Sequence, residues 1–171
     1  MRQEILTWDD VDILIDHLIP QFNNEFDGMA VITRGGIIPG GLLAEALQIE
    51  NILIAAVDFP AEVELDAARR HNRFLSWPKF IQFPNNELVA NRRILIVDDV
   101  WGSGRTITAV KNRIAGANGL PYTCVLHFNP YRNLFGTVRP DFFAATTDAY
   151  IIYPWESKRG PERSLLPGVG Q

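Results

Sequence analysis

The chain has 171 residues, 47% of them hydrophobic and 21% charged, with a single cysteine, values of an ordinary one-domain globular protein that needs neither a disulfide framework nor a multi-cysteine zinc site. Sixteen basic against twenty acidic side chains give a net charge of −4, which argues against a broad nucleic-acid or anionic-membrane surface but leaves room for a local pocket that takes a small anion. No apolar run approaches the ~18 residues that span a bilayer, and acidic residues stand in MRQEILTWDDVD where a secretory signal would be apolar, so a cytoplasmic location is expected.

In chain order, apolar residues at 8, 11, 14, 15, 18 and 19 predict a helix over about 8–19, with Thr7 as N-cap and Pro20 near its end. GMAVIT at 28–33 reads as a strand running into a Gly pair, after which Pro39 opens the helical GGLLAEAL. NILIAAV at 51–57 is a second strand, and RRILIVDD at 92–99 a third whose continuous apolar run implies burial on both faces. TITAVKNRIAG at 106–116 returns to helical spacing, and 121–128, 141–146 and 149–153 supply further strands. Such alternation predicts an α/β fold, a mainly parallel twisted sheet flanked by helices, over a single domain 1–171. Ligands in these sheets bind beyond the strand carboxyl ends, here after Thr33, Asp99 and Phe128. The long 59–88 connection has the character of a functional lid, and the Gly-, Pro- and charge-rich 157–171 tail is expected to be mobile.

The most informative stretch is ILIVDDVWGSGRT at 94–106. A buried strand delivers Asp98 and Asp99 to its carboxyl end, and Gly102, Ser103 and Gly104 follow before a helix that begins near Thr106. Amides of such a loop, with the helix N-terminus, make a phosphate cradle, to which the Ser103 and Thr106 hydroxyls add donors. Two carboxylates beside a phosphate site need hydroxyls or a cation to face, and a sugar with vicinal hydroxyls and a 5′-phosphate satisfies both halves. A P-loop is excluded because Arg105 stands where no P-loop lysine fits, and a dinucleotide fingerprint fails at Ile107.

VDDVWGSGRT resembles the phosphoribosyl pyrophosphate signature of the type I phosphoribosyltransferases. VITRGGIIPGGLLAEAL at 31–47 is similar to the pyrophosphate loop and following helix of the bacterial xanthine-guanine branch, and DAYIIYPWE at 148–156 to its base-binding segment. The three lie in the family's order. The resemblance implies a Rossmann-like fold with a small base-binding hood and a mobile lid, and an enzyme in which a base displaces pyrophosphate from 5-phosphoribosyl 1-pyrophosphate. It implies that Asp98 and Asp99 hold the ribose hydroxyls, directly or through Mg²⁺, and steady a developing cationic sugar. Gly102, Ser103, Gly104, Arg105 and Thr106 would hold the 5′-phosphate. Thr33, Arg34, Gly35 and Gly36 would receive pyrophosphate in a loop that often carries a non-proline cis peptide, while lid cations Arg69, Arg70, Arg73 and Lys79 would close over it. Tyr150 would stack on the base and Ile151 would offer backbone groups to its edge, whereas Trp155 is expected to pack.

Two departures concern the base. His127 and Asn129 stand near the position where the xanthine-guanine branch carries a lysine for the 6-oxo group, and Gly102 stands where 6-oxopurine enzymes usually have an aspartate. Deprotonation then falls either to another group, with His127 the candidate, or to the base itself if it ionises easily, as xanthine does. The expected activity is Mg²⁺-dependent transfer to a xanthine-, hypoxanthine- or guanine-type purine by a homodimer. The alternatives are an adenine- or pyrimidine-type transferase and a non-catalytic phosphoribosyl pyrophosphate or nucleotide sensor.

Overall fold

The computed structural model describes residues 2–59 and 77–156. Its elements are β1 (Gln3–Ile5), α1 (Trp8–Leu18), β2 (Gly28–Ile32), α2 (Ile37–Leu47), β3 (Ile52–Asp58), β4 (Lys79–Gln82), β5 (Arg93–Trp101), α3 (Arg105–Gly116), β6 (Leu120–Phe128), β7 (Phe142–Thr146) and β8 (Tyr150–Ile152). Short 3-10 turns follow α1, precede β5 and close the described chain at Pro154–Glu156.

Local chemistry accounts for the boundaries. Thr7 caps α1 as expected: Asp10 N donates to Thr7 Oγ1 at 3.2 Å and Thr7 N donates to Asp10 Oδ2 at 2.8 Å, a reciprocal capping box that also holds the Asp10 carboxyl below its ordinary pKa. Helix α2 starts two residues before Pro39, because the first four helical N–H groups have no intrahelical partner and a proline at the third position costs nothing there. Helix α3 turns Ile107, Val110 and Ile114 inward, a spacing of three and four residues on one face.

Six strands form one sheet in the order β4-β3-β2-β5-β6-β7, parallel throughout except for β4, which runs antiparallel to β3. One core lies between this sheet and α1 with α2, through Val11, Leu18, Leu43, Val31, Leu95 and Val97. A second lies under α3, through Ile32, Ile94, Ile96, Val110 and Ile114. With helices on both faces, β5 is covered on each side, and Ile94 to Val97 are fully buried, which matches the continuous apolar run. Successive connections leave β2 toward β3 on one side and return to β5 on the other. The carboxyl ends of β2 and β5 therefore form the topological switch point where open α/β sheets bind ligands.

Two features differ from the expectations. Part of the 59–88 connection is the edge strand β4 rather than lid, built on pairing with Ala56 to Asp58 of β3; residues 60–76 and the 157–171 tail lie outside the described residues. Gln3–Ile5 forms a strand, paired in parallel with Tyr150–Ile152 in a separate two-stranded sheet. Neither β1 nor β4 has a period to betray it, since both are three or four residues long and exist through their partners.

Candidate active site

The loop after β2 and the carboxyl end of β5 meet at unusually short range. A Cβ on Gly35 would overlap the Asp99 carboxylate and stand 2.7 Å from Asp98 Oδ1, and one on Gly36 would overlap the Val97 carbonyl. Only glycine permits this approach. The Thr33–Arg34 peptide is cis, as the family resemblance implied. Within this loop Thr33 N donates to Ala55 O at 2.9 Å and Gly36 N to Ile32 O at 2.8 Å. Those two amides are thus spent on the fold, and the Arg34 and Gly35 amides are the loop's donors without a partner among the described residues.

Asp98 Oδ1 accepts from Asp99 N at 3.0 Å, and Asp99 Oδ1 accepts from Val100 N at 2.7 Å. No basic side chain faces either carboxylate among the described ion pairs. Burial pushes the Asp98 carboxyl well above the ordinary range and the neighbouring Asp99 charge adds to this; Asp99 is raised too, first by burial and then by Glu156. The pair is thus a concentration of uncompensated acceptors suited to hydroxyls or a hard cation. The described residues contain no group of three or more His, Cys, Asp or Glu able to hold a metal. Two carboxylates fit Mg²⁺ only if water and ligand oxygens complete its shell, as is usual for that ion.

Beyond the aspartates, Trp101 is buried and its indole Nε1 donates to Asn133 Oδ1 at 3.1 Å. Gly104 caps α3 at φ +77°, where a Cβ would overlap that indole nitrogen, so the turn is both left-handed and too tight for a side chain. No side chain caps α3, which leaves its first-turn amides at Thr106 and Ile107 uncapped. Ser103 Oγ lies 3.4 Å from Arg105 N, and the Arg105 guanidinium sits 4.2 Å from the Phe59 ring centroid. The loop thus ends in uncapped helix amides, with the Arg105 guanidinium over the Phe59 ring just past the end of β3.

Two adjoining clefts open here. The larger, about 660 Å³, is lined by Arg34, Gly35, Asp99, Tyr150, Trp155 and Glu156. The smaller, about 180 Å³, includes Gly102, Asn129, Arg132, Tyr150, Ile151 and Tyr153 in its wall. Asp99, Tyr150 and Glu156 belong to both. Tyr150 is 43% exposed, free to present its ring. Asn129 is buried and its Oδ1 accepts from Tyr131 N at 3.1 Å and Arg132 N at 3.2 Å, so it shapes the turn after β6. Trp155 stacks on Tyr153 at 4.5 Å and 6° and also lines the larger cleft.

His127 requires a correction. It lines neither cleft; it is buried, its Nδ1 lies 2.8 Å from Tyr153 Oη, and burial lowers its pKa. At the end of β6 the imidazole packs inward against Tyr153, whose ring and not that of His127 walls the smaller cleft. Lys79 begins β4 opposite Asp58, three strands from β5 or about 14 Å across the sheet, and it lines neither cleft. Arg69, Arg70 and Arg73 lie outside the described residues. Three residues were missed. Glu156 carried a signal as the acid of Pro-Trp-acid. Tyr153 lies in the same DAYIIYPWE segment and Arg132 in the loop after Phe128, but which side chain of each stretch enters the cleft is set only by the fold.

Residues 1–134 match a family model described as the phosphoribosyl transferase domain. A xanthine-guanine phosphoribosyltransferase of Desulfotalea psychrophila is 26% identical over 140 residues, 78% of this chain and 72% of that one. Among solved structures, a purine phosphoribosyltransferase from Pyrococcus horikoshii superposes with a TM-score of 0.74 at 24% identity, covering 96% of this chain and all of the other. A Neisseria gonorrhoeae protein with bound ppGpp gives the same TM-score at 23% identity, over 91% and 90% of the two chains.

Proposed function

Because the chain belongs to the phosphoribosyltransferase family, we propose that it transfers a phosphoribosyl group from 5-phosphoribosyl 1-pyrophosphate to a purine base of the xanthine, hypoxanthine or guanine kind, with Mg²⁺, as a cytoplasmic homodimer acting through one domain. The observation that carries this reading is the buried Asp98–Asp99 pair at the end of β5, set between the Gly35 loop and the uncapped start of α3. Arg34, which lines the same cleft as Asp99, and the Arg34 and Gly35 amides belong to the first, and the Thr106 and Ile107 amides to the second.

In that arrangement the α3 amides and the Gly102–Thr106 loop hold the 5′-phosphate. Asp98 and Asp99 accept from the ribose hydroxyls and place negative charge beside C1, where positive charge develops as the bond to pyrophosphate breaks. Arg34 and the two spare amides take the pyrophosphate. Asp98 and Asp99 would be the residues that hold Mg²⁺, a group that when bound would supply neutralisation of charge on the leaving group. The base approaches across Tyr150, which walls both clefts, with the Ile151 backbone at its edge. The small β1–β8 sheet serves as the hood. The purine assignment draws support from the names of the Desulfotalea and Pyrococcus relatives.

The test is a panel of xanthine, hypoxanthine, guanine, adenine and uracil, each with phosphoribosyl pyrophosphate and Mg²⁺, followed by nucleotide formation. One or more 6-oxopurines react at least ~10-fold faster than adenine or uracil if the reading is right, a margin set by hydrogen-bond matching in the pocket. Preference for adenine or uracil overturns the base assignment, and no reaction with any base overturns the activity.

A further inference from the structure

We infer that His127 and Tyr153 form a hydrogen-bonded strut whose task is to hold the Asp99 peptide in position, tying the ribose site to the small β1–β8 sheet. The inference rests on the functional reading above, in which Asp99 faces the sugar. Tyr153 is 1% exposed. Its hydroxyl donates to Asp99 O at 3.1 Å and lies 2.8 Å from His127 Nδ1. The direction of both bonds follows from proton counting. A backbone carbonyl only accepts, so the single phenolic proton is committed to Asp99, and His127 must donate Nδ1–H to the phenol oxygen. The neutral imidazole is thereby fixed with Nδ1 protonated and Nε2 bare. Burial keeps the phenol protonated and the imidazole neutral.

Asp99 needs such support. Strand β2 pairs with β5 only as far as Val97, so on that side the Asp98–Val100 backbone meets the Gly35 loop but has no strand partner. On the other side β6 continues, with Val100 opposite His127. The strut thus leaves β6 directly beside the residues that have strand pairing on one side only and returns to them through Tyr153. Tyr153 is itself clamped. Its amide donates to Glu156 Oε2 at 2.9 Å, its ring stacks on Trp155 at 4.5 Å, and Trp155 meets Trp8 of α1 at 5.9 Å. The hydroxyl position is over-determined, and the same ring walls the smaller cleft. One side chain therefore sets both where a base rests and where the Asp99 carbonyl sits. Tyr153 and His127 are positioning residues, because they act through Asp99.

The test compares wild type with Tyr153→Phe, His127→Leu and His127→Asn, the last retaining a side-chain N–H near the Nδ1 position. Tyr153→Phe and His127→Leu lower kcat about 10-fold, with KM for both substrates held within about 2-fold, since a displaced group near the reacting atoms costs turnover rather than affinity. His127→Asn recovers kcat to within about 3-fold of wild type. Unchanged kcat in Tyr153→Phe, or a rise confined to KM, overturns the strut. Nitrogen-15 spectra of the His127 ring judge it without turnover: Nδ1 is protonated in wild type and that proton exchanges faster in Tyr153→Phe, whereas a bare Nδ1 in folded wild type overturns the inference. If wild type makes no nucleotide from any base, the functional reading fails while these spectra still decide whether the strut exists.

Discussion

On one side of the cleft, Gly35, Asp98, Asp99 and the 102–106 loop are held by backbone: amide bonds, a left-handed Gly104 and a loop so close that a Cβ does not fit. On the other, Tyr150, Asn129, Arg132, Tyr153 and Glu156 are side chains brought together by β1–β8 pairing and the turn after β6. The family match ends at residue 134, so β7, β8 and the Tyr150–Glu156 segment lie beyond it. Phosphate, pyrophosphate and ribose present the same atoms whatever the base, and backbone amides recognise them with little tolerance for change. A wall made of side chains can be rebuilt one residue at a time.

The largest effects are expected on the backbone side. Asp99→Ala and Arg34→Ala each lower kcat at least ~100-fold, the scale of a lost transition-state charge contact. Gly35→Ala does the same by driving a methyl into the Asp99 carboxylate. Steady-state kinetics check all three, and near-wild-type rates would break the contrast. Across the cleft, Tyr150→Ala raises KM for the base about 5- to 10-fold, the worth of one aromatic contact, and leaves KM for phosphoribosyl pyrophosphate unchanged.

A smaller effect, opposite in sign, concerns stability. Asp98 and Asp99 have raised pKa values in the folded state, first because of burial. An acid whose folded pKa exceeds its unfolded value favours folding at low pH, and that contribution is lost as pH rises from the usual 3.8 through the raised value. Asp99→Asn therefore melts higher than wild type at pH 7 and shows a flatter decline in stability between pH 4 and 7, although its turnover is gone. A lower melting temperature at pH 7 would mean that the carboxylate is satisfied by the fold rather than kept for a ligand. The smallest effect is at Gly102, where a Cβ meets nothing within 4 Å: Gly102→Ala changes stability by less than about 0.5 kcal/mol, checked by denaturant melts.

The same contrast explains what could be read from the chain. Strand β5 with its two aspartates, the Gly102–Thr106 loop and the Thr33–Gly36 loop were legible because each is contiguous and its chemistry is set by neighbours in sequence. The order and helical faces of α1, α2 and α3 followed from apolar spacing. The base side resisted for a physical reason. His127 carries no sign in sequence that its partner is Tyr153, 26 residues on, and β1 is defined by pairing with a strand 147 residues away, Gln3 against Tyr150. The loop after Phe128 was expected to meet a ligand, but that the turn set by Asn129 aims Arg132 at the cleft follows only from the fold.

The central claim is tested most directly by incubating wild type with phosphoribosyl pyrophosphate and a reactive 6-oxopurine, and measuring pyrophosphate and nucleoside monophosphate together, with Mg²⁺ and with the metal chelated. The account predicts equal molar yields of the two products, abolished on chelation and restored by Mg²⁺. Pyrophosphate release without nucleotide, or binding of phosphoribosyl pyrophosphate with no release at all, would contradict it.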